Sequence, residues 1–197
     1  MEKVLVTGAT GYIGLHCIQQ LLDQGYAVNG SVRSPERKDE IYDALKKHNT
    51  PTENLKIFTF NLTEDDGWDE GMEGCDYLMH VASPLALANH GEEFFVGPAV
   101  SGAKRALKFA KKHNVKKVVL TSSVAAIYET TVLKEYYDES DWSDPNKDTI
   151  NHYAKSKTLA EMAAWDFVKE ENNPFELAVI NPALVIGPSL SGDIGES

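Results

Sequence analysis

Val6-Thr7-Gly8-Ala9-Thr10-Gly11-Tyr12-Ile13-Gly14 places three glycines at a spacing of three directly behind a short apolar run. The run, Val4 to Thr7, reads as a buried strand. Tyr12 to Gln24 reads as a helix, because Ile13, Cys17, Ile18, Leu21 and Leu22 recur at helical spacing before Gly25 ends it. Between a strand and a helix, glycines allow a tight turn and a close approach of backbone to ligand. The helix start that follows turns free N–H groups and the positive end of its dipole toward an anion. The anion expected at Gly8, Gly11 and Gly14 is the pyrophosphate of a dinucleotide.

Outward from this turn the same alternation repeats. Strands are expected at Ala27 to Val32, Leu55 to Phe60, Tyr77 to Val81, Lys117 to Thr121 and Glu176 to Ile180. Helices are expected at Pro35 to His48, near Asp65 to Gly71, at Pro98 to His113 and at Tyr153 to Glu171. Strict alternation without hairpin signals calls for an α/β, doubly wound parallel sheet of the Rossmann kind, with ligands at the carboxyl ends of its strands. The helix from Pro98 carries Val100, Ala103, Ala106, Leu107, Phe109 and Ala110, enough for a buried face, so monomer and homodimer both remain open. Glu129 to Thr149 breaks the rhythm and is expected to form an active-site rim.

Composition bounds the function. The 197 residues can build one core, and one domain is expected over 1–197. Thirty acidic against nineteen basic residues give a formal charge of -11, which opposes binding to nucleic acid or anionic membrane. The densest basic cluster, Lys111, Lys112, Lys116 and Lys117, reads as the solvated end of a helix and its loop. Cys17 and Cys75 are isolated thiols, there is no signal-peptide layout and no membrane-length apolar run, so a cytoplasmic location is expected. The six His residues have no ligand spacing, so no metal site is expected.

Two places carry chemistry. After the second strand the chain reads Gly30-Ser31-Val32-Arg33-Ser34, with no carboxylate for a ribose 2′-hydroxyl. Arg33 instead offers a guanidinium suited to a 2′-phosphate, with Ser31, Ser34, Arg37 and Lys38 as further donors, so NADP(H) is expected over NAD(H). Farther on, Tyr153 and Lys157 stand four apart on a helix and share a face, while Lys155 and Ser156 point elsewhere. An ammonium beside a phenol draws its pKa down, which would let Tyr153 exchange a proton with a carbonyl or alcohol oxygen. A hydroxyl of Thr121-Ser122-Ser123 would bond the same oxygen. Hydride transfer to a small-molecule carbonyl substrate follows, with Tyr153 as proton donor. No Gly-x-Ser-x-Gly elbow supports a serine hydrolase.

With these motifs in this order, the sequence resembles an extended short-chain dehydrogenase/reductase of the dihydroflavonol 4-reductase group, which includes cinnamoyl-CoA reductases and microbial aldehyde and ketone reductases. The likeness runs through VTGATGYIG, SVRSPER, HVASP, VVLTSSVAAIY, YDESDWSD, YAKSKTLAEMAAW and NPALVIGP. It implies an NADPH-dependent reductase with cofactor contacts from Gly8, Gly11, Tyr12, Ile13, Gly14, Arg33, Asn61, Leu62, Val81, Ala82, Ser83, Tyr153, Lys157 and Pro182. It also implies that Ser123, rather than Ser122, is the catalytic serine. Three departures stand out. Asn61 replaces a customary Asp, Tyr128 stands where flavonoid reductases carry Asn or Asp, and Asn151-His152-Tyr153-Ala154 differs from the Asn-Trp-Tyr-Cys run of cinnamoyl-CoA reductases. They point to a general aldehyde or ketone reductase. The group's members are longer, so the substrate-capping C-terminal region is expected to be absent or truncated here. An NAD-dependent nucleotide-sugar epimerase or dehydratase would want an acidic residue near position 33, and a non-catalytic NADP(H)-binding sensor would often lack Tyr153 or Lys157.

Overall fold

Alternate residues of the first strand, β1 (Lys3–Thr7), go to opposite faces of a sheet in a computed structural model that describes residues 1–84, 91–131 and 133–192. Leu5 enters one apolar cluster, while Val4 and Val6 enter another. A strand covered on both sides needs this near-continuous apolar run. The remaining elements are α1 (Tyr12–Asp23), β2 (Ala27–Val32), α2 (Lys38–Lys47), β3 (Leu55–Thr59), α3 (Trp68–Met72), β4 (Tyr77–His80), α4 (Glu92–Lys112), β5 (Lys117–Thr121), α5 (His152–Glu170) and β6 (Glu176–Ile180).

All six strands are parallel, in the order β3-β2-β1-β4-β5-β6. Strand order therefore reverses between β1 and β4, and the carboxyl ends of these two strands open the crevice where such sheets take ligands. One core cluster joins β1 and β2 to α1 and α2 through Val6, Ile18, Val28 and Ile41. The other packs Trp68, Phe109, Leu107 and Leu78 among α3, α4 and the sheet, with Trp68 stacked on Phe109 at 5.7 Å.

The long helix departs from expectation at its start. Pro98 reads as a beginning, yet α4 starts at Glu92 and carries Pro98 inside. Proline removes one amide from the ladder there. Burial of Phe95 and Ala99 holds the extra turns, and Glu92 accepts from Lys155 of α5 at 2.9 Å. The helical stretch expected from Asp65 forms only at Trp68–Met72, and Pro35–Arg37 is a 3₁₀ turn ahead of α2.

The basic cluster is spent on acids rather than left free. Lys111 pairs with Glu171, Lys112 with Asp69, Lys116 with Asp76 and Lys117 with Glu176. Among the described residues, no helix is long and apolar enough to cross a membrane. The rim expected at Glu129 to Thr149 has no regular structure over its described residues, Val132 lying outside them. Ser143 staples it down, donating to the Ala125 carbonyl and accepting from the Glu129 amide, each at 2.8 Å. The closing Gly195-Glu196-Ser197 also lies outside the described residues.

Candidate active site

The glycine turn is closely packed at all three of its glycines. Gly8 has φ +73° and lies so close to the loop after β4 that a Cβ would sit 3.1 Å from the Ala82 Cα. A Cβ on Gly11 would meet the Gly8 carbonyl at 3.3 Å. Gly14, which also lines the groove, has a packing role besides the cofactor contact expected for it. Its Cβ would fall 2.2 Å from the Gly8 oxygen, so the missing side chain lets α1 pack on the turn itself. The Gly11 carbonyl accepts from Leu15, and α1 begins at Tyr12 without a side-chain cap among the described residues, leaving its first N–H groups facing the crevice.

Thr7 ties the two central strands together. Its hydroxyl accepts from the amides of Val81 and Ala82 at 3.1 Å each, and lies 3.0 Å from Nδ1 of His80. With two N–H groups already on its oxygen, Thr7 donates its proton to Nδ1, which leaves His80 neutral with its proton on Nε2. Burial, with the Lys157 charge added, pushes His80 down to about 3. Between that value and the ordinary 6.5 the unfolded chain binds a proton that the folded chain refuses, so stability falls as pH drops through this window, by about 1.4 kcal/mol per unit. Urea unfolding at pH 5 should therefore give a stability about 2 kcal/mol below that at pH 7. Equal stability at the two values would mean that His80 is not held neutral.

An open groove of 1090 Å³ runs over the carboxyl ends of the strands and brings together the expected cofactor-binding and catalytic residues, while Lys38, expected as a further donor, does not line it. Gly8, Gly11, Tyr12, Ile13 and Gly14 form its floor after β1, and Arg33 stands beyond β2. Asn61 and Leu62 follow β3, and Val81, Ala82 and Ser83 follow β4. Ser123, Tyr153, Lys157 and Pro182 close the far side. Arg33 is exposed and makes no hydrogen bond or ion pair among the described residues. Two of its expected helpers are engaged elsewhere, since Ser31 accepts from the Gly8 amide at 3.3 Å and Arg37 pairs with Glu40 at 2.8 Å. Ser34 lines the groove beside Arg33. Asn61 turns its Oδ1 to the Thr63 amide, a local bond that leaves its NH₂ group for a ligand.

At the far side, Asn151 caps α5 by accepting from the Ala154 amide at 2.8 Å and so fixes where Tyr153 and Lys157 project. Lys155 and Ser156 do point elsewhere, to Glu92 and to the Tyr153 carbonyl. The Ser123 hydroxyl caps the 3₁₀ turn Val124–Ala126, accepting from the Ala125 amide at 3.2 Å, and lines the groove together with the Tyr153 phenol. Ser122 lies buried behind it.

One expectation is overturned. Lys157 does not draw the phenol down: burial raises the Tyr153 pKa, the Ser123 hydrogen bond opposing it. The ammonium lies over the ring, 5.8 Å from its centroid, and donates to the Thr121 carbonyl at 3.4 Å instead of approaching the phenolic oxygen. Lys157 itself is buried, which pushes it down to about 8, with Glu161 opposing the shift. Sequence reasoning did not find Thr7, Glu161 or Asn181. Asn181 donates to both the Ser123 carbonyl and the Glu161 carboxylate, and its place at the end of β6, opposite Thr121-Ser122-Ser123, was the available signal.

The arrangement can hold an elongated anion along the glycine turn and move a proton at its far end. Known proteins fit it over nearly its whole length. Cinnamoyl-CoA reductase 1 of Petunia hybrida is 38% identical over 205 residues, covering 100% of this chain and 58% of the relative. A bifunctional dihydroflavonol 4-reductase/flavanone 4-reductase of Pyrus communis is 37% identical, covering 96% and 56%. The crystal structure of yeast methylglyoxal/isovaleraldehyde reductase Gre2 complexed with NADPH superposes with a TM-score of 0.83 at 32% identity, covering 95% of this chain and 59% of that one. The chain thus spans a little under three fifths of the length of these relatives. Residues 4–196 match the model of one family, and the chain belongs to it: the NAD dependent epimerase/dehydratase family.

Proposed function

We propose that the protein is an NADPH-dependent oxidoreductase that reduces the carbonyl of a small aldehyde or ketone, with Tyr153 as proton donor. The observation that carries this reading is the groove, which unites an unpaired guanidinium, an anion-binding helix start and a Ser123-Tyr153-Lys157 cluster. The cradle suits a pyridine dinucleotide, because the turn at Gly8 and Gly11 and the uncapped start of α1 line the groove together. When bound, NADPH supplies the hydride. The protein supplies the rest. Arg33 meets the 2′-phosphate, and the start of α1 meets the pyrophosphate. Ser123 holds the substrate oxygen, and the Tyr153 O–H gives its proton to that oxygen as hydride reaches the carbon, yielding the alcohol. Lys157 sets its ammonium over the Tyr153 ring and so helps fix the phenol in place.

Residues 1–197 then form the nucleotide-binding and catalytic part, and a substrate-capping part of the kind the longer relatives have room for would complete it. The relatives' names favour reduction over sugar-nucleotide epimerisation, and Arg33 stands where an NAD-preferring epimerase would want an acid. Tyr153 and Lys157 together argue against a sensor that binds without turnover. A cytoplasmic setting fits two unpaired cysteines, of which Cys75 is buried and pushed up to about 11. The buried side of α4 is used on the sheet and on α5, so a monomer needs no partner to cover it, and a homodimer would use another surface.

Calorimetry tests the cofactor. Charge-assisted bonds to a phosphate are worth about 1.5–3 kcal/mol, so Arg33→Ala should weaken NADPH roughly 10- to 100-fold and leave NADH nearly unchanged. Equal effects on the two nucleotides would remove Arg33 from the site. NADPH consumption over a panel of aliphatic, aromatic and α-keto aldehydes and ketones, with NADH as control, tests the reaction.

A further inference from the structure

Beside Lys157, sharing Ala82, Ser83, Thr121 and Ser122 with the groove, lies a much smaller recess of 20 Å³ between β4, β5, α4 and α5. Its polar lining is Ser83, Thr121, Ser122, Lys157, Glu161 and His80; alanines such as Ala99 and Ala103 of α4 make the apolar side. The Ser122 hydroxyl is buried and has no hydrogen-bond partner among the described residues. A buried hydroxyl left in that condition costs about 1–3 kcal/mol. A space of this size holds one water, which needs two to four polar partners.

Four of these polar residues, Ser122, Lys157, Glu161 and His80, complement a single water. Lys157 can only donate, and so can His80 through Nε2, because Thr7 occupies Nδ1. The Glu161 carboxylate can only accept, and the Ser122 hydroxyl can do either. Glu161 follows Lys157 by four residues on α5, and both are buried, at 7% and 6% exposure. The two charges form no direct ion pair among the described residues; Lys157 donates to Thr121. The carboxylate is fixed from its other side, accepting from Asn181 at 2.8 Å and from Trp165 at 3.4 Å.

We infer that this pocket binds one ordered water between Ser122, Lys157 and Glu161, and that through it Glu161 acts as a positioning residue that keeps the Lys157 ammonium charged and in place. Other groups facing Lys157 do not supply a negative charge. Tyr153 presents its ring, β5 presents the Thr121 carbonyl and the Ser122 hydroxyl, β4 presents neutral His80, and α4 presents alanines. Glu161 is the acid that opposes the burial of Lys157. The inference rests on Lys157 serving the reaction proposed above, yet it can be read without turnover.

The test uses the intact protein, with NADPH and without it. A high-resolution crystal structure should show solvent density within hydrogen-bond reach of Ser122 and Glu161, and a dry pocket would overturn the proposal. With ¹³C-labelled lysine, and the Lys157 signal identified by its loss in Lys157→Arg, NMR titration gives the Lys157 midpoint directly. Glu161→Gln keeps the bond to Asn181 but removes the charge, and should lower that midpoint by roughly one pH unit. Ser122→Ala should lower it by less and should remove the solvent density. An unchanged midpoint in Glu161→Gln overturns the inference even if carbonyl reduction is intact. Should Glu161→Gln fail to fold, Ser122→Ala decides alone, a downward shift supporting the inference and no shift overturning it. A protein that oxidises no NADPH with any carbonyl while its Glu161→Gln midpoint still falls defeats the reductase reading and leaves this one standing.

Discussion

Tyr153→Phe should lower carbonyl-dependent NADPH oxidation roughly 10²- to 10⁴-fold, the usual yield of a positioned proton donor, with NADPH affinity changed by no more than about threefold. The substitution keeps the ring over which the Lys157 ammonium lies and removes only the hydroxyl. Because burial holds the phenol above its ordinary value, Tyr153 keeps its proton at neutral pH. Reduction is then the direction the resting side chain is charged for, and its rate should fall as pH rises through the titrations of Lys157, held at about 8, and of the phenol above it. Alcohol oxidation needs the phenolate and should climb over the same range. Stopped-flow rates in both directions across pH 6 to about 11 would show the opposed limbs. A Phe variant that turns over as fast as the parent, or a reduction rate that rises toward high pH, would take the proton donor elsewhere.

The glycine turn, Arg33 and the Tyr153-Lys157 pair were legible because each depends on neighbours within one turn or one helical repeat. Strand positions followed from the same short-range logic, and β2, β5 and β6 have the expected bounds. What stayed hidden depends on partners far along the chain. Thr7 organises Val81 and Ala82 across more than seventy residues, and Asn181 reaches back twenty residues to Glu161. Such bonds leave no periodicity. Pro98 misled for a related reason: proline is a good local boundary marker, but the packing of Phe95 and Ala99 outweighs one lost ladder bond. The spacing of Tyr153 and Lys157 correctly put both on one face, yet spacing says nothing about where a flexible lysine sends its ammonium. Here a backbone carbonyl of β5 receives it, and burial sets the direction of the phenol's shift.

Gly14→Ala should cost roughly 2–4 kcal/mol of folding stability and abolish measurable NADPH binding, although Gly14 has ordinary helical backbone and Ala is the better helix former. The added methyl would lie 2.2 Å from the Gly8 oxygen and 3.0 Å from the Gly8 carbonyl carbon. Both are backbone atoms, and neither can rotate aside. The Gly8 oxygen also accepts from the Gly11 amide, so moving it opens the turn, while moving α1 pulls Leu15, Ile18 and Leu22 out of their cluster. Either relief spoils the alignment of the α1 start with the groove. Gly25 makes the comparison decisive. It has φ +85° with nothing within 4 Å of a Cβ, so Gly25→Ala meets backbone strain alone and should cost about 1 kcal/mol with NADPH binding intact. Urea denaturation and calorimetry on the two variants separate the causes. If Gly14→Ala proved no less stable than Gly25→Ala and still bound the nucleotide, close packing of helix on turn would not be what the third glycine provides.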